Sequence, residues 1–427
     1  MKVTVIGLGK IGLPLAVQFA NKGISVMGLD NNETTVNLIN SAEEPFPGEK
    51  DLSGFLKEVV TNKVLIATVD VEFAISNADV IVVCVPLVVT SKSEPDFTGI
   101  DEVVRDIGRY AKKGAIISFE TTLPVGTTRL RFAKILEKES KLKIGEELFV
   151  VFSPERVLTG RIFSDLRKYP KLVGGVSASC TSKGVGFYEL ALDFDQRFDL
   201  DRSNGVWAMK SSDAAEFAKI AETTYRDVNI GLANEFALFA KEKDIDILEV
   251  IEASNSQPFS HIHTPGISVG GHCIPIYPQF YIWENPISDI VKTARKTNSE
   301  MPMKVVARLN SDFGSLDGLS IGILGVTYRP GVKESAFTGT KSLQTELVNL
   351  GAQVFVTDPF YSEEELREMG YEAITDNGVI DGLILHTAHD VYLKLSPTDF
   401  PKLKFIFDGR NFLKSWQGSK TYKYFSI

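Results

Sequence analysis

Cysteine is scarce in this sequence, because the 427 residues contain only Cys84, Cys180 and Cys273. Three scattered thiols cannot build the disulfide framework that holds small secreted domains together. We therefore expect free cysteines and a reducing, cytoplasmic location. The histidines near Cys273, at positions 261, 263 and 272, do not complete a four-ligand zinc site at the usual spacing, so no metal is expected.

Long apolar runs and clusters of basic residues are also missing. The most apolar stretch, Val80–Val89, is too short to cross a bilayer. The apolar run after Lys2 resembles a secretion signal, but glycines interrupt it and no cleavage site follows, so we expect no membrane association. The formal net charge of −9, without a basic run, argues against nucleic acid as a partner. Small anionic ligands stay compatible with this charge, since a local pocket can be positive.

The first thirty residues predict a dinucleotide-binding unit. Lys2–Leu8 is a β-branched run typical of a buried strand, and Ile24–Leu29 predicts a second strand that ends at Asp30. Between them, residues 7–12 read Gly-Leu-Gly-Lys-Ile-Gly and open a helical pattern. The glycines allow a tight turn and let a pyrophosphate approach the helix N-terminus. The carboxylate of Asp30 would bind ribose hydroxyls and repel a 2′-phosphate, so we expect NAD rather than NADP.

The same alternation continues and predicts a doubly wound parallel sheet. Four further strands are indicated, at Val64–Ala67, Val80–Val85, Ala115–Phe119 and Leu148–Phe152. Ligands bind at the carboxyl ends of such strands, where this chain carries Cys84-Val85-Pro86, Glu120-Thr121-Thr122 and Ser153-Pro154-Glu155-Arg156. Thr122 is interpreted with equal weight as a ligand contact or as the cap of a helix that begins near Pro124. Glu155 is equally a site carboxylate or a solvated loop charge.

Beyond residue 210 the pattern becomes helical. Residues 211–243 predict one unusually long helix, with Lys219, Thr223, Arg226 and Asn229 on one face. Such a polar stripe is either solvated or lines a site. Asn298–Pro302 predicts a linker, after which a second α/β unit begins. Basic residues near its strand ends would either meet phosphate or lie on solvated loops; they are Arg329, Lys333 and Arg410.

A glycine-rich stretch at residues 264–273 ends in Cys273 and is predicted to lie within an irregular loop. Gly266, Gly270 and Gly271 allow tight bends, while the flanking prolines stiffen the chain. A single thiol on such a turn suits a nucleophile. Most free cysteines, however, are small buried apolar residues, and the stretch alone leaves both interpretations open.

Six motifs in a fixed order resemble the UDP-glucose/GDP-mannose dehydrogenase family, and the resemblance covers essentially the whole chain. The motifs are residues 7–30, Thr122-Leu123-Pro124, Ser153-Pro154-Glu155-Arg156, Lys219, Gly270-Gly271-His272-Cys273 and Asp408-Gly409-Arg410. The resemblance implies an α/β fold in which two Rossmann-like doubly wound domains are joined by a central helical domain with a long connecting helix. It implies a NAD-binding domain at 1–200, a helical dimerisation domain carrying the nucleophile loop at 201–300, and a UDP-sugar-binding domain at 301–427. A homodimer is expected.

The resemblance also implies the chemistry, which is the four-electron oxidation of a sugar C6 alcohol to a carboxylate with two NAD in turn. Cys273 would form a thiohemiacetal and then a thioester, and Lys219 would stabilise the oxyanion. Glu155 would act as general base or orient the water that Thr122 helps to hold. The implied cofactor contacts are Gly7, Gly9, Lys10, Ile11, Gly12, Asp30, Pro86, Thr122 and Glu155. The implied substrate contacts are Arg156, Lys219, Arg226, Gly270, His272, Tyr328, Arg329, Lys333 and Arg410.

Two positions depart from the family pattern. Many members carry an aspartate four residues after the cysteine, where this chain has Tyr277, and an asparagine four residues after the lysine, where it has Thr223. Both groups help to position the water and the lysine, so Thr223 is included among the catalytic candidates. His272, Arg156 and residues 225–229 resemble the N-acetylhexosamine branch. We therefore expect UDP-N-acetylmannosamine or UDP-N-acetylglucosamine as the substrate.

Three alternatives remain at this point. The first is a UDP-glucose 6-dehydrogenase. The second is a two-electron hydroxyacid dehydrogenase, which shares the dinucleotide motif and the long helix but needs no cysteine. The third is a non-catalytic protein that binds NAD and a nucleotide sugar. Loss of turnover in a Cys273→Ser variant would separate the first from the second.

Overall fold

Strands rich in valine and isoleucine alternate with helices in the first part of the computed structural model, which describes residues 1–427. The chain divides into two compact units, Met1–Ala221 and Glu222–Ile427. Each unit contains a sheet whose central strands are buried on both faces, as expected for parallel sheets covered by helices. None of the helices is both long enough and apolar enough to cross a membrane.

The first unit is built on an eight-stranded sheet in the order β10-β9-β8-β7-β4-β1-β2-β3. All its neighbouring strands are parallel except β8 and β9, which are antiparallel. A short antiparallel pair, β5 and β6, lies outside this sheet. The strands of this unit are β1 (Lys2–Ile6), β2 (Ser25–Leu29), β3 (Leu65–Thr68), β4 (Val80–Val83), β5 (Val88–Val89), β6 (Pro95–Asp96), β7 (Ile116–Phe119), β8 (Phe149–Phe152), β9 (Lys171–Gly175) and β10 (Val206–Ala208).

Helices connect these strands, and polar residues cap several of them. The side chain of Asn32, for example, accepts hydrogen bonds from the backbone N–H groups of Thr34 and Thr35. A single π-helical segment, Thr128–Phe132, precedes the sixth helix. The helices are α1 (Gly12–Asn21), α2 (Glu33–Asn40), α3 (Leu52–Thr61), α4 (Val71–Ser76), α5 (Thr98–Tyr110), α6 (Ala133–Ser140), α7 (Ile162–Lys168), α8 (Ala178–Ala191) and α9 (Ser212–Glu242), the last of which continues into the second unit.

The second unit combines helices with a six-stranded, all-parallel sheet in the order β13-β12-β11-β14-β15-β16. Its strands are β11 (Ser320–Leu324), β12 (Gln353–Thr357), β13 (Glu372–Ala373), β14 (Gly382–Leu385), β15 (Phe405–Asp408) and β16 (Lys423–Ser426). Its further helices are α10 (Ile247–Asn255), α11 (Cys273–Glu284), α12 (Asp289–Phe313), α13 (Thr340–Asn349) and α14 (Glu363–Glu368). Short 3₁₀ turns occupy Asn377–Val379, Asp390–Lys394, Pro397–Asp399 and Lys414–Trp416.

The predicted fold class is confirmed, and the long helix predicted at residues 211–243 is observed as α9. The linker predicted at Asn298–Pro302 is wrong, because these residues lie inside the continuous helix α12. Buried side-chain hydrogen bonds hold the helix across its proline: the Asn298 amide donates to the Asp227 carbonyl oxygen at 2.8 Å and accepts from the Asn234 amide at 2.9 Å. The two domain boundaries at residues 200 and 300 stay a prediction.

Candidate active site

The turn after β1 has the geometry of a dinucleotide site. Gly7 has φ +88°, a conformation that glycine adopts without strain, and a Cβ at Gly9 would meet no atom within 4 Å. Helix α1 begins at Gly12 without a side-chain cap, and the positive end of a helix dipole favours an anion. The Asp30 carboxylate accepts hydrogen bonds from the N–H groups of Leu8 at 2.7 Å and Asn32 at 2.9 Å. These residues fit NAD.

The strand ends beside this turn carry the other cofactor candidates. Lys10 and Ile11 lie on the turn itself and are partly buried, whereas Pro86, after β4, is exposed. Thr122 is buried, and the neighbouring Thr121 hydroxyl donates to the Val85 carbonyl oxygen at 2.6 Å. The next helical segment begins only at Thr128. Thr122 therefore does not cap a helix, and the alternative of a helix starting near Pro124 is wrong.

Glu155 is not a solvated loop charge. Its side chain is only 9% exposed and forms an ion pair with the ammonium of Lys171, the first residue of β9. The same ammonium lies 2.6 Å from Oε2 of Glu120, at the end of β7. Because β9 runs antiparallel to β8, its first residue lies at the carboxyl end of the parallel strands. Arg156 lies next to this cluster in the chain and donates to the Pro170 carbonyl oxygen at 3.5 Å.

Lys219 is buried in the first part of helix α9. One turn earlier, the fully buried Glu216 accepts hydrogen bonds from the backbone N–H groups of Gly126 at 2.5 Å and Thr128 at 2.8 Å. Burial raises the pKa of Glu216 to about 7, although the bonds to Thr128 and Gly126 oppose the shift. This carboxyl group fixes the segment after Thr122 to the turn of α9 that carries Lys219. Glu216 was not among the residues predicted from the sequence, because the only indication of its role was a carboxylate on the long predicted helix.

Side chains from α9 and from the segment after β14 hold the stretch before Cys273 in place within the second unit. The Asn229 amide, on α9, donates to the His261 carbonyl oxygen at 2.6 Å and accepts from the His263 N–H at 3.0 Å. Ser268 Oγ lies 2.8 Å from Nε2 of the buried His386, whose pKa burial lowers to about 3. The neutral imidazole therefore holds the loop at physiological pH. Asn229, on the polar face of α9, therefore fixes the backbone of this loop at residues 261 and 263.

Arg410 supports the same loop. Its guanidinium donates to the carbonyl oxygens of His386 at 2.8 Å and Ser268 at 3.4 Å. Burial lowers the pKa of Arg410 to about 10, against the attraction of Asp408, and the group stays a cation at neutral pH. Arg410 was predicted as a substrate contact from its place near a strand end. In the structure it also holds the backbone that leads to Cys273.

Cys273 is the first residue of helix α11, so the prediction that it lies within an irregular loop is wrong. The preceding glycines pack against the loop between β11 and α13: the Gly271 N–H donates to the Ala336 carbonyl oxygen at 2.8 Å, and a Cβ at Gly270 would lie 2.6 Å from Cβ of Tyr328. The exposed His272 contacts the Phe337 ring edge-to-face at 5.8 Å between centroids. The unpaired N–H groups of a helix start favour negative charge that develops beside Cys273.

The remaining substrate candidates are spread over the second unit. Arg329 donates to the Tyr328 hydroxyl at 3.1 Å, whereas the exposed Lys333 forms an ion pair with Glu365. Thr223 is buried on α9, and Arg226 is partly buried and lowers the pKa of His263, after burial as the main cause. Thr223, Arg226, Arg329 and Lys333 belong to the second unit. Glu155, Thr122 and Lys219 belong to the first unit.

An open cleft of about 470 Å³ lies beside the nucleophile loop in the second unit. It is lined by Ser268 and Val269 of the loop, by Phe337, and by α12, which contributes two lysines, Lys292 and Lys296, among other residues. Sequence reasoning missed these lysines, although their spacing of four residues puts them on one helix face. The cleft offers positive charge next to the loop, which suits an anionic ligand. No group of three His, Cys, Asp or Glu side chains is arranged to hold a metal ion.

The glycine turn, the two doubly wound sheets and the long helix define an NAD-dependent dehydrogenase with a second nucleotide-binding sheet. Three family models match the chain in this order. They describe the NAD-binding domain (residues 1–191), the central domain (213–300) and the UDP-binding domain (322–415) of the UDP-glucose/GDP-mannose dehydrogenase family.

Relatives and solved structures match most or all of the chain. The UDP-N-acetyl-D-mannosamine dehydrogenase of Pyrococcus horikoshii is 31% identical, covering 97% of this chain and 96% of its own, and that of Escherichia coli is 32% identical over 78% and 79%. A structure titled as the P. horikoshii UDP-D-ManNAc dehydrogenase superposes with a TM-score of 0.87 at 29% identity, covering 100% and 99%. The Staphylococcus aureus UDP-N-acetyl-mannosamine dehydrogenase gives 0.83 at 27% identity, covering 100% and 98%. The chain belongs to the UDP-glucose/GDP-mannose dehydrogenase family, and it is an NAD-dependent oxidoreductase of nucleotide sugars.

Proposed function

We propose that this protein oxidises the C6 alcohol of a UDP-N-acetylhexosamine, UDP-N-acetylmannosamine or UDP-N-acetylglucosamine, to the uronate. The observation that carries the proposal is Cys273 at the first turn of α11, on a loop fixed by Ser268, His386 and Arg410. A rigidly presented thiol is what covalent capture of an aldehyde requires. The relatives that are named for UDP-N-acetyl-D-mannosamine support the N-acetylhexosamine class.

The proposed roles follow from the chemistry of each group. NAD, when bound at the glycine turn, accepts the hydrogen removed in each of the two oxidations. Cys273 adds through sulfur to the C6 aldehyde and so retains it as a thiohemiacetal, which the second oxidation converts to a thioester. Lys219 stabilises the negative oxygen at C6. Glu155 takes a proton from the water that attacks the thioester, and the cysteine sulfur leaves.

The other candidates are given positioning or binding roles. Thr122 helps to hold the attacking water, and Thr223 lies one turn beyond Lys219 in place of the asparagine that many members carry there. We propose that cofactor contacts come from Gly7, Gly9, Lys10, Ile11, Gly12, Asp30, Pro86, Thr122 and Glu155. We propose that substrate contacts come from Arg156, Lys219, Arg226, Gly270, His272, Tyr328, Arg329, Lys333 and Arg410, with Lys292 and Lys296 adding positive charge in the cleft.

We further propose that the protein is a homodimer formed through helix α9. Four of the five large apolar side chains that are exposed on this helix recur at intervals of seven, four and three residues, which puts them on one face; they are Tyr225, Leu232, Phe236 and Phe239. An unpartnered apolar stripe of this kind is typical of an interface between helices. The three-domain division at residues 200 and 300, and a cytoplasmic location consistent with the three free cysteines, belong to the same proposal.

The test is NADH formation by the purified protein with NAD and a panel of UDP-N-acetylmannosamine, UDP-N-acetylglucosamine, UDP-glucose and GDP-mannose. We expect two NADH per sugar with an N-acetylhexosamine substrate, and loss of uronate in Cys273→Ser. Preference for UDP-glucose would support the alternative glucose enzyme. One NADH per sugar, with an unaffected Cys273→Ser variant, would contradict the cysteine mechanism. Binding of both ligands without turnover would indicate a non-catalytic protein.

A further inference from the structure

A buried cluster of charged groups lies behind Glu155 in the first unit. The Lys171 ammonium, whose side chain is 5% exposed, contacts Oε1 of Glu155 and lies 2.6 Å from Oε2 of Glu120. The Tyr188 hydroxyl, on α8, donates to Oε1 of Glu120 and lies 2.7 Å from the Ser118 hydroxyl. The ammonium also lies 4.9 Å from the centre of the Tyr188 ring. These contacts involve four separate elements.

The cluster lies next to the dinucleotide turn. A Cβ at Gly7 would lie 3.2 Å from the carbonyl carbon of Cys84, and one at Gly12 would lie 3.1 Å from Cβ of Cys84. Burial, followed by the charges of Glu120 and Glu155, raises the pKa of the Cys84 thiol. Cys84 is therefore neutral and lies between the glycine turn and the two carboxylates. In a doubly wound sheet this edge, at the carboxyl ends of β4, β7 and β8, is where ligands bind.

The charges of this cluster do not balance without a proton. Two carboxylates and one ammonium leave a net negative charge in a buried site, which is costly. Burial raises the pKa of Glu120 to about 8, although Lys171 opposes the shift. Burial alone would lower the pKa of Lys171, but the attraction of Glu120 and Glu155 outweighs it and the pKa rises. At neutral pH Glu120 is thus protonated and Lys171 is charged, and the Lys171 ammonium pairs with Glu155.

We propose that Lys171 is a positioning residue for the reaction, which holds the Glu155 carboxylate in place, and that Glu120 with Tyr188 is the proton-carrying support that keeps the cluster neutral. Lys171 uses Oε1 of Glu155 and so leaves Oε2 to accept the proton of water. In the hydrolysis step the O–H bond of water breaks, its proton passes to Oε2, and its oxygen bonds to C6. The C–S bond to Cys273 breaks and the sulfur keeps the electron pair. This inference rests on the proposed function.

The hydroxyl groups of Tyr188 and Ser118 give Glu120 a hydrogen-bond partner both with and without its proton. When Glu120 carries a proton on Oε1, it donates to the Tyr188 oxygen, and Tyr188 donates in turn to Ser118. When Glu120 is ionised, Tyr188 donates to Glu120 instead. In both states the buried oxygen atoms keep a hydrogen-bond partner, which avoids the cost of an unpaired polar group. A glutamine at position 120 would imitate the protonated state.

The experiment compares Lys171→Met, Lys171→Arg and Glu120→Gln with the wild type, using NADH formation with NAD and the substrate selected above. Without the ammonium, nothing holds Oε1 of Glu155, so the carboxylate no longer presents Oε2 to the attacking water. We expect Lys171→Met to lower kcat by roughly 100-fold, because misplacing a reacting group by about 1 Å can cost that much, while the KM values for NAD and for the sugar stay unchanged. Lys171→Arg, which keeps a cation, should restore kcat, and Glu120→Gln, which imitates the protonated carboxyl group, should cost less than Lys171→Met.

A second measurement identifies the step. With hydrolysis slowed at neutral pH, Lys171→Met releases two NADH per active site in a burst, and mass spectrometry of the quenched protein finds the thioester on Cys273. A loss of activity with no burst would mean that Lys171 is only structural and would overturn the inference. If Lys171→Met does not fold, the double variant Lys171→Met/Glu120→Gln, which removes the second buried carboxylate, must show the same loss of kcat and the same burst.

The controls separate this inference from the proposed function. If the wild type forms no uronate, or if Cys273→Ser retains full turnover, the proposed function fails, whatever the Lys171 variants do. If the wild type forms two NADH per sugar and Lys171→Met keeps the wild-type kcat, only the inference fails.

Discussion

Two alanine substitutions in the glycine turn should separate cofactor binding from folding. At Gly12 a new Cβ would collide with the carbonyl oxygen of Gly7 and lie 3.1 Å from Cβ of Cys84, so the backbone of the turn must shift. At Gly9 the same atom meets nothing within 4 Å. Gly9 faces the space where a pyrophosphate would approach the helix N-terminus, so only a bound dinucleotide would feel the methyl group.

The magnitudes follow from these contacts. Overpacking against backbone costs about 1–3 kcal/mol, so Gly12→Ala should lower the midpoint of thermal unfolding by several degrees. Gly9→Ala should leave the free energy of unfolding within about 1 kcal/mol of the wild type. It should lose at least one charged hydrogen bond to the pyrophosphate, worth about 1.5–3 kcal/mol, which corresponds to a roughly 10- to 100-fold rise in the KM for NAD.

The assay combines thermal unfolding without ligand with KM values for NAD and for the nucleotide sugar. Gly99→Ala, in helix α5, is the control, since its added Cβ also meets nothing within 4 Å. A Gly9→Ala protein that binds NAD normally would refute the assignment of this turn as the binding site of the NAD pyrophosphate. A Gly12→Ala protein as stable as the wild type would refute the packing argument.

Three further predictions concern Glu216, the proposed dimer interface on α9 and the nucleophile loop. Because the pKa of Glu216 is raised to about 7, the folded state binds the extra proton and the wild type should lose on the order of 3 kcal/mol of stability as pH rises from about 4.5 to 7; urea unfolding of Glu216→Gln should lack this loss. Phe236→Arg should convert a dimer to a monomer in light scattering, whereas Phe73→Arg, at a more exposed phenylalanine on α4, should not. Gly339→Ala would press on Ser268 of the nucleophile loop and should lower kcat while the KM for NAD stays unchanged.

Local sequence patterns were sufficient to predict most of the strands, the long helix and the glycine turn. The strands and the long helix α9 depend on hydrophobic periodicity and helix propensity over many residues, and both signals are present in the chain itself. The turn at residues 7–12 was recognisable because its glycines are required by backbone geometry. The linker prediction at Asn298–Pro302 failed because a proline is a local helix breaker, whereas Asp227 and Asn234 stabilise α12 through contacts distant in sequence.

The sequence by itself determined the family, the cofactor and the identity of the candidate nucleophile Cys273, since each follows from motifs of neighbouring residues in a fixed order. Only the tertiary structure decided the environment of each group. Lys171 is one basic residue at the start of a strand, and nothing near it in the chain indicates a pairing with both Glu120 and Glu155. Burial and charge pairing depend on which strands become neighbours, and the antiparallel direction of β9 brings Lys171 to the carboxyl end of β8.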